Sequence, residues 1–256
     1  MTTYLPVQID NGNGDPIVLL HGLGNNYKSW SFVIDKLDYS KNRIIAVDLL
    51  GFGDAPKSGN IKYTPEEHAK AVINTLDKLG LKKVLLAGHS MGSIIAIEVA
   101  KQRPDLVCRL ILFGAPIYKS MPKHSTWWSH ITKAEGTYYK IFSIVKDNPE
   151  AVKTGGEIAD ELVPFVKGME ITDETWPAYK KSLENTIMQF QTFKDICQFK
   201  IPTLFVNGIF DFFIIRKNIK EIARKNRQFI KVKTVLGPHE LTPAQGKKVA
   251  KILQDS

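Results

Sequence analysis

A serine bracketed by glycines stands out in the first half of the chain, in the sequence GHSMG around Ser90. An apolar run precedes this pentapeptide and a second apolar run follows it. A serine hydroxyl is a weak nucleophile unless a base accepts its proton, and that base needs an acid to orient it. A glycine-flanked serine is also typical of a tight turn that packing requires. The surrounding elements, and the partners available to Ser90, decide between these two interpretations.

Short apolar runs alternate with longer segments of helical period through most of the chain. The runs are rich in Val, Ile and Leu without alternation, which is typical of strands buried on both faces of a parallel sheet. We expect strands over residues 17–20, 43–47, 84–87, 110–113, 203–206 and 230–235. We expect helices over residues 29–37, 65–79, 91–102, 216–225 and 242–253. This alternation predicts an α/β fold with helices on both faces of a parallel sheet.

Ser90 lies at the junction of a predicted strand and a predicted helix. In the motif G-x-S-x-G, such a strained turn lifts the serine hydroxyl above the sheet, and the glycines leave room for the turn. The acid and then the histidine should follow along the chain, each after a later strand. Asp211 and His239 fill these places. Considered alone, Asp211 fits the role of a turn aspartate, and His239 fits that of a solvent-facing loop histidine. A catalytic triad of serine, histidine and aspartate accounts for both residues at once.

Other acids and histidines fit these roles less well. His124 and His130 follow the serine but lie in a segment without predicted strands. Asp195 precedes its strand, which puts it at the opposite edge of the sheet. His21 precedes the serine, so we expect a structural hydrogen-bonding role for it. His89 is expected to point away from the nucleophile and to pack.

The oxyanion formed in acyl transfer needs N–H groups that already point at it. The N–H of Met91 begins the helix after Ser90, where backbone N–H groups have no intrahelical acceptor. The second donor should come from the loop after the first buried strand, which reads HGLG over residues 21–24. We therefore expect the N–H groups of Leu23 and Met91 to form the oxyanion hole.

The strand–helix alternation stops between residues 116 and 199, a segment with helical periodicity and three of the four tryptophans. We interpret it as a helical cap inserted into a core made of residues 1–115 and 200–256. Insertions after the carboxyl ends of strands cover the edge where open α/β sheets bind ligands. A structural layer without a binding role would have the same pattern. Trp127 and Trp128 are candidate contacts for an apolar substrate group, with core packing as the alternative.

The net charge of +9 is concentrated near the end of the chain, because residues 196–256 hold 12 basic and four acidic residues. Four of the basic side chains fall near one helical face: Arg216, Lys220, Arg224 and Arg227. An anionic surface or a nucleic acid would bind such a face. No aromatic interleaving or nucleic-acid motif accompanies it, so a solvated helix face is the simpler interpretation. We expect no nucleic-acid partner.

Length and composition set further bounds. A chain of 256 residues suits one large α/β domain that needs no disulfide or metal for its stability. Cys108 and Cys197 lack the spacing of a zinc site or redox pair, in line with a reducing compartment. The first 20 residues contain no Lys or Arg, and the apolar runs are far shorter than a membrane span. We expect a cytoplasmic protein with no membrane span, metal or cofactor.

Taken together, these stretches resemble the α/β-hydrolase superfamily, in particular its lidded serine esterase-like members. The stretches are HGLG at 21–24, DLLGFGDAP at 48–56, GHSMG at 88–92, NGIFD at 207–211 and GPHEL at 237–241. The resemblance implies the α/β-hydrolase fold, with a mostly parallel sheet of seven or eight strands and a leading strand over residues 5–9. Asp54 stands where family members often have serine, in a loop whose role is structural.

The resemblance also implies roles for the site residues: Ser90 as nucleophile, His239 as base, Asp211 as acid, and the amides of Leu23 and Met91 as oxyanion donors. Haloalkane dehalogenases and epoxide hydrolases of this superfamily carry aspartate at the turn, so the serine argues against both activities. The expected activity is that of a carboxylesterase, which cleaves a small to medium, mainly apolar ester through an acyl-enzyme. Carbon–carbon bond hydrolysis, lactone hydrolysis and perhydrolysis use the same triad and stay open, as does a non-catalytic ligand sensor. Monomer and dimer are equally compatible with the sequence.

Overall fold

The computed structural model describes residues 2–119, 169–188 and 192–255. Within these residues seven strands form one sheet: β1 (Val7–Asn11), β2 (Asp15–Leu20), β3 (Asn42–Val47), β4 (Val84–His89), β5 (Val107–Phe113), β6 (Thr203–Gly208) and β7 (Ile230–Val235). Their order is β1-β3-β2-β4-β5-β6-β7. Strand β1 runs antiparallel to β3, and every other neighbouring pair is parallel. The predicted α/β fold with a mostly parallel sheet is confirmed.

The helices of the described residues cover both faces of this sheet. They are α1 (Ser31–Ile34), α2 (Pro65–Lys78), α3 (Met91–Gln102), α4 (Trp176–Ser182), α5 (Thr192–Ile196), α6 (Arg216–Lys225) and α7 (Pro243–Gln254). Apolar residues of α2, α3 and α6 pack in one core cluster, and those of α1 and α7 pack in a second. No helix among the described residues is long and apolar enough to cross a membrane.

The two core clusters explain why the strands lack an alternating pattern. In β2, Val18 and Leu20 belong to the cluster that contains α2 and α3, whereas Ile17 and Leu19 belong to the cluster that contains α1 and α7. Successive side chains of a strand point to opposite faces, so both faces of β2 are covered by protein. A strand with two covered faces needs apolar residues at every position.

The leading strand begins two residues later than the sequence predicts. Pro6 has no N–H for a sheet ladder, and the N–H of Leu5 donates to Oγ1 of Thr75 at 2.8 Å instead. The antiparallel pairing with β3 therefore starts at Val7.

The helix predicted over residues 29–37 is shorter and tighter in the structure. A 3-10 helix, Tyr27–Trp30, leads into α1, which makes a single α-helical turn. The chain then closes with i to i+3 hydrogen bonds, from Lys36 N to Val33 O at 2.9 Å and from Leu37 N to Ile34 O at 3.1 Å. Such bonds form the tight last turn in which many helices end.

The described part of the predicted cap, residues 169–188 and 192–199, is largely helical and packs on the core. A π-helix, Leu183–Ile187, continues α4, and Tyr179 is fully buried. The hydroxyl of Thr186 donates to the carbonyl of Tyr63 at 2.7 Å, and Glu170 N–H donates to the carbonyl of Gly24 at 2.7 Å. The cap boundaries themselves stay a prediction. Part of the predicted cap lies outside the described residues, including His124, Trp127, Trp128 and His130.

Candidate active site

Ser90 occupies the turn between β4 and α3 in a backbone conformation that side chains rarely adopt, with φ 53° and ψ −119°. Two close backbone approaches surround this turn. A Cβ on Gly92 would lie 2.4 Å from the carbonyl oxygen of Leu20, and a Cβ on Gly88 would lie 2.3 Å from the carbonyl oxygen of Gly92. The glycines are therefore required for α3 to start this close to the sheet, and that start presents the Ser90 side chain at the carboxyl edge of the sheet.

The structure brings Asp211 and His239 to the same edge, on the loops that follow β6 and β7. His239 Nε2 lies 2.9 Å from Ser90 Oγ, and His239 Nδ1 lies 2.8 Å from Asp211 Oδ2. An ionised carboxylate only accepts hydrogen bonds, so the Nδ1–H of His239 donates to Asp211. This tautomer leaves a lone pair on Nε2 that accepts the Ser90 hydroxyl proton.

Asp211 and His239 are both buried, with 4% and 9% of their surfaces exposed. Burial alone would lower the pKa of His239, but the hydrogen bond and the charge of Asp211, with a smaller contribution from Glu240, raise that pKa above its ordinary value of 6.5. The other carboxylate oxygen, Asp211 Oδ1, accepts the N–H of Phe213 at 2.9 Å. The acid is thus held at both oxygens and supports a positive charge on His239.

A glycine behind the histidine allows this arrangement. Gly114, which follows β5, has φ 54°, and a Cβ there would lie 3.0 Å from the His239 ring and 3.1 Å from Asp211 Oδ2. The loops that carry the acid and the histidine are also joined to each other, because Phe210 N–H donates to the Gly237 carbonyl at 3.0 Å. The relative position of Asp211 and His239 is therefore set by backbone contacts.

The predicted oxyanion donors flank Ser90. Met91 begins α3 directly after Ser90, and the loop that carries Leu23 approaches so closely that a Cβ on Gly22 would lie 3.2 Å from Ser90 Cβ. Among the residues that the structure describes, neither the Leu23 N–H nor the Met91 N–H donates to an acceptor. Both amides are therefore available to an oxygen that is bound beside Ser90.

His21 has the structural role expected of it. Its Nε2 accepts the N–H of Leu49 at 2.9 Å, and its Nδ1–H donates to the carbonyl of Gly22 at 2.8 Å. Burial lowers the pKa of His21 to about 4, so the ring is neutral and both nitrogens are used. This side chain ties the loop after β2 to the loop after β3.

A carboxylate holds the second of these loops. Asp48 accepts hydrogen bonds from Tyr27 N–H at 2.9 Å, Gln8 Nε2 at 2.8 Å and Asp54 N–H at 3.0 Å. The side chain of Asp54 accepts from the same Gln8 nitrogen at 2.8 Å. The contacts agree with a structural role for the loop around Asp54.

His89 does more than the sequence indicates. It is buried, as expected of a packing residue, but it lines the same cleft as Ser90 instead of pointing away from it. Its Nε2–H donates to the backbone carbonyl of His239 at 2.9 Å, and the two rings lie 5.1 Å apart. Burial lowers the pKa of His89, which keeps the ring neutral. His89 therefore holds the backbone that carries the candidate base.

The alternative acid is used elsewhere. Asp195 Oδ2 lies 2.9 Å from Lys101 Nζ, in an ion pair between α5 and α3. Asp195 precedes β6, whereas the loop after β6 carries Asp211. The structure therefore places Asp211, and not Asp195, beside His239.

A cleft lies above Ser90. Its polar lining comes from Asn25, His89, Ser90, His239 and Glu240. The other side chains that line it are mostly apolar: Leu23, Pro116, Tyr118, Met169, Ile187 and Phe213.

One group of possible metal ligands was found within the described residues. His89, His239 and Glu240 offer ligand atoms that lie within 4.8 Å of one another. Both ring nitrogens of His239 already contact Ser90 and Asp211, so a metal ion would have to displace one of these contacts. The arrangement of this cleft fits proton transfer at Ser90 better than metal binding.

Comparisons with known proteins agree with this architecture. The family model described as alpha/beta hydrolase fold matches residues 15–240. An esterase from Exiguobacterium antarcticum has a TM-score of 0.71 at 22% identity, over 100% of this chain and 98% of its own. A bromoperoxidase from Bacillus anthracis has a TM-score of 0.69 at 21% identity, over 96% of this chain and 91% of its own.

Among curated proteins, the 2-hydroxymuconate semialdehyde hydrolase of Pseudomonas sp. strain CF600 is 33% identical over 109 residues, which are 41% of this chain and 38% of that protein. The chain spans less than half the length of the curated relatives that it matches. The structural likenesses, at identities near 20%, concern the fold alone. The family model covers most of the chain, and the chain therefore belongs to the alpha/beta hydrolase fold family.

Proposed function

We propose that the protein is a serine hydrolase that cleaves a carboxylic ester through an acyl-enzyme on Ser90. The observation that carries this proposal is the unbroken line of contacts from Ser90 Oγ through both ring nitrogens of His239 to Asp211 Oδ2, at 2.9 Å and 2.8 Å. This geometry supplies an activated nucleophile, a base of the correct tautomer and a buried anion that stabilises the imidazolium.

The reaction begins when Ser90 Oγ attacks the carbonyl carbon of the ester and its proton moves to Nε2 of His239. The carbonyl oxygen becomes an oxyanion, which the N–H groups of Leu23 and Met91 stabilise. The proton on Nε2 then passes to the alkoxide as the alcohol leaves. In the second half, His239 accepts a proton from water, the hydroxide attacks the acyl carbon, and Ser90 leaves with the proton.

The cleft supports a preference for small or medium, mainly apolar esters. Met169, Ile187 and Phe213 offer apolar surface to an acyl or alcohol group. Contacts from Trp127 and Trp128 stay part of the proposal as further apolar surface.

Carbon–carbon bond hydrolysis is the second candidate, because the similarity to 2-hydroxymuconate semialdehyde hydrolase favours it. Lactone hydrolysis and perhydrolysis require the same groups at Ser90. The two main candidates differ in the leaving group, which is an alkoxide in an ester and a carbanion, or its protonated equivalent, in a diketone-like substrate.

A substrate panel separates these candidates. Wild-type protein is incubated with p-nitrophenyl esters of increasing chain length, with lactones and with a vinylogous diketone, and the products are identified by mass spectrometry. The proposal expects turnover of short esters, with a loss of at least about a thousandfold in the Ser90→Ala variant. Ser40→Ala, a change at an exposed serine, is the matched control. Equal rates for wild type and Ser90→Ala across the panel would reject the proposal, and cleavage of the diketone alone would replace ester by carbon–carbon chemistry.

A further inference from the structure

The loops that carry Asp211 and His239 also present large apolar side chains to solvent. Phe212 is 75% exposed, Leu236 69%, Phe210 56% and Ile209 45%. Within the described residues, these four and Val232 on β7 account for five of the seven exposed large apolar side chains. We call Ile209, Phe210, Phe212 and Leu236 the apolar rim. Clustering of this kind, at one end of a sheet, marks an interaction surface.

Backbone hydrogen bonds hold the apolar rim together. Ile209 N–H donates to the carbonyl of Val235 at 2.9 Å, next to Leu236, and Phe210 N–H donates to the carbonyl of Gly237 at 3.0 Å. The guanidinium of Arg216 donates to the carbonyl of Gly208 at 2.9 Å and also to that of Ile209. The exposed side chains therefore project from well-connected turns, so little ordering entropy opposes their burial by a partner.

The elements beside the apolar rim are strongly basic. Helix α6 begins four residues after Phe212 and exposes Lys217 and Lys220, and the edge strand β7 exposes Lys231 and Lys233. The acids of this region offset little of that charge. Asp211 is paired with His239, and Glu221 is paired with Lys119 and Lys225. Glu240, which follows His239, is a single further carboxylate beside the four exposed lysines. A surface that joins exposed apolar side chains to excess positive charge is complementary to an anionic lipid headgroup layer.

We propose that the apolar rim and its basic flanks dock the protein on an anionic lipid surface. Phe210, Phe212 and Leu236 insert among the headgroups, while Lys217, Lys220 and Lys233 contact the lipid phosphates and carboxylates. A single-stranded nucleic acid fits less well, because two of the four rim residues, Ile209 and Leu236, offer no ring for base stacking. A second copy of the chain fits less well, because lysines on an edge strand oppose strand pairing between like-charged copies.

The docking concerns binding and not the chemistry at Ser90, so either proposal can fail without the other. The rim does belong to the loops that hold the acid and the histidine. A docked molecule therefore has the triad edge of its sheet turned toward the lipid surface, and apolar esters that partition into that surface reach the cleft from a higher local concentration.

The test is co-sedimentation of the protein with phosphatidylcholine vesicles, prepared with and without phosphatidylserine. The proposal expects binding to the vesicles with phosphatidylserine, weak binding to those without it, and loss of binding at high salt. Phe212→Ser is expected to weaken the partition coefficient about tenfold. The triple variant Lys217→Gln, Lys220→Gln and Lys233→Gln is expected to weaken it about a hundredfold, at about fivefold for each lysine.

Matched controls lie away from this end of the sheet. Tyr4→Ser removes an aromatic side chain, 43% exposed, near the opposite edge strand. The triple variant Lys36→Gln, Lys70→Gln and Lys82→Gln removes the same number of exposed positive charges. Circular dichroism melts verify that all variants fold, and every changed side chain is exposed in the native protein.

Three outcomes would overturn the proposal. In the first, wild-type protein binds both vesicle types equally or not at all. In the second, the control variants weaken binding as much as the rim variants do. In the third, the rim variants leave vesicle binding unchanged and instead convert a dimer to a monomer by size-exclusion chromatography with light scattering, or abolish binding to a labelled single-stranded oligonucleotide. That result would identify a second copy or a nucleic acid as the partner.

Discussion

Replacing Asp211 with asparagine exchanges one carboxylate oxygen of the proposed triad for an amide nitrogen and should reverse the role of the histidine. Asp211 Oδ1 accepts the N–H of Phe213 at 2.9 Å, so the amide oxygen of an asparagine keeps that position. The amide nitrogen then faces His239 Nδ1, 2.8 Å away in the native protein. Two donors cannot face each other, so Nδ1 gives up its proton and Nε2 carries it instead. The hydrogen on Nε2 then points at Ser90 Oγ, so this nitrogen no longer accepts the hydroxyl proton.

The expected loss in kcat is about ten-thousandfold, or about 5 kcal/mol of transition-state stabilisation. KM should change little, because the carboxylate does not line the cleft. The pH profile carries a second signature. Asp211 holds the pKa of His239 above 6.5, and the base acts in its neutral form, so wild-type kcat/KM rises with pH through that raised pKa. Without the Asp211 charge the pKa of His239 falls. The remaining activity of Asp211→Asn should therefore also increase with pH, but over a lower pH range than in the wild type.

The assay is steady-state hydrolysis of a p-nitrophenyl ester between pH 5 and about 9, a range that spans the ordinary pKa of histidine. The control is Asp195→Asn, which neutralises a carboxylate paired with Lys101 away from the site and should leave kcat and the pH profile unchanged. If Asp211→Asn keeps kcat within about tenfold of wild type, or if Asp195→Asn loses as much activity, the assignment of the acid is wrong.

Three further predictions concern strain, packing and pH. Ser90→Gly relieves a side chain held at φ 53°, so urea unfolding should show about 1 kcal/mol of added stability together with no ester turnover; a less stable variant would contradict the strain. Gly114→Ala places a Cβ 3.0 Å from the His239 ring at φ 54°, so it should lose at least about 1 kcal/mol of stability and most of its kcat, and unchanged kinetics would refute this packing. His68 is buried and its pKa is lowered to about 3, chiefly by burial, whereas the unfolded chain titrates near 6.5. The unfolded state therefore binds more protons than the folded state as the pH falls below 6.5, and the free energy of unfolding decreases by about 3 kcal/mol by about pH 4.5. His68→Gln should remove this decrease, which urea unfolding at neutral pH and at about pH 4.5 measures.

The parts of the fold that the sequence predicts well are those with local causes. Helix α3 begins and ends where expected, because the glycine-flanked turn starts it and Pro104 follows its last residues. Helix α2 begins at Pro65 because Thr64 and Glu67 form a capping box. Strand β7 has its predicted bounds. Helices α2 and α3 are thus determined by residues within a few positions of their ends.

The parts that escape prediction depend on contacts between distant residues. The hydrogen bond from His89 to the His239 carbonyl joins residues 150 positions apart, and nothing near His89 in the sequence indicates it. The proximity of Gly114 to the triad likewise appears only once β5 lies beside β4 and β6. The short helix α1 ends early through backbone bonds that the apolar pattern does not reveal.

The candidate triad lies between these cases. The types and order of Ser90, Asp211 and His239 follow from strand-end positions along the chain, and the structure adds the tautomer and the distances. The role of the basic charge of residues 216–227 could not be predicted from the sequence. The sequence indicates a solvated helix face, and only the exposed side chains of the neighbouring loops suggest a partner for that charge.

The most direct test of the account is to identify the residue that becomes acylated or phosphonylated. Wild-type protein is treated with a fluorophosphonate probe, digested and sequenced by mass spectrometry, and ester turnover is measured on the same samples. We expect one modified residue, Ser90, with turnover falling in proportion to labelling and no labelling in Ser90→Ala. Labelling at another residue, or full turnover in protein modified at Ser90, would contradict it.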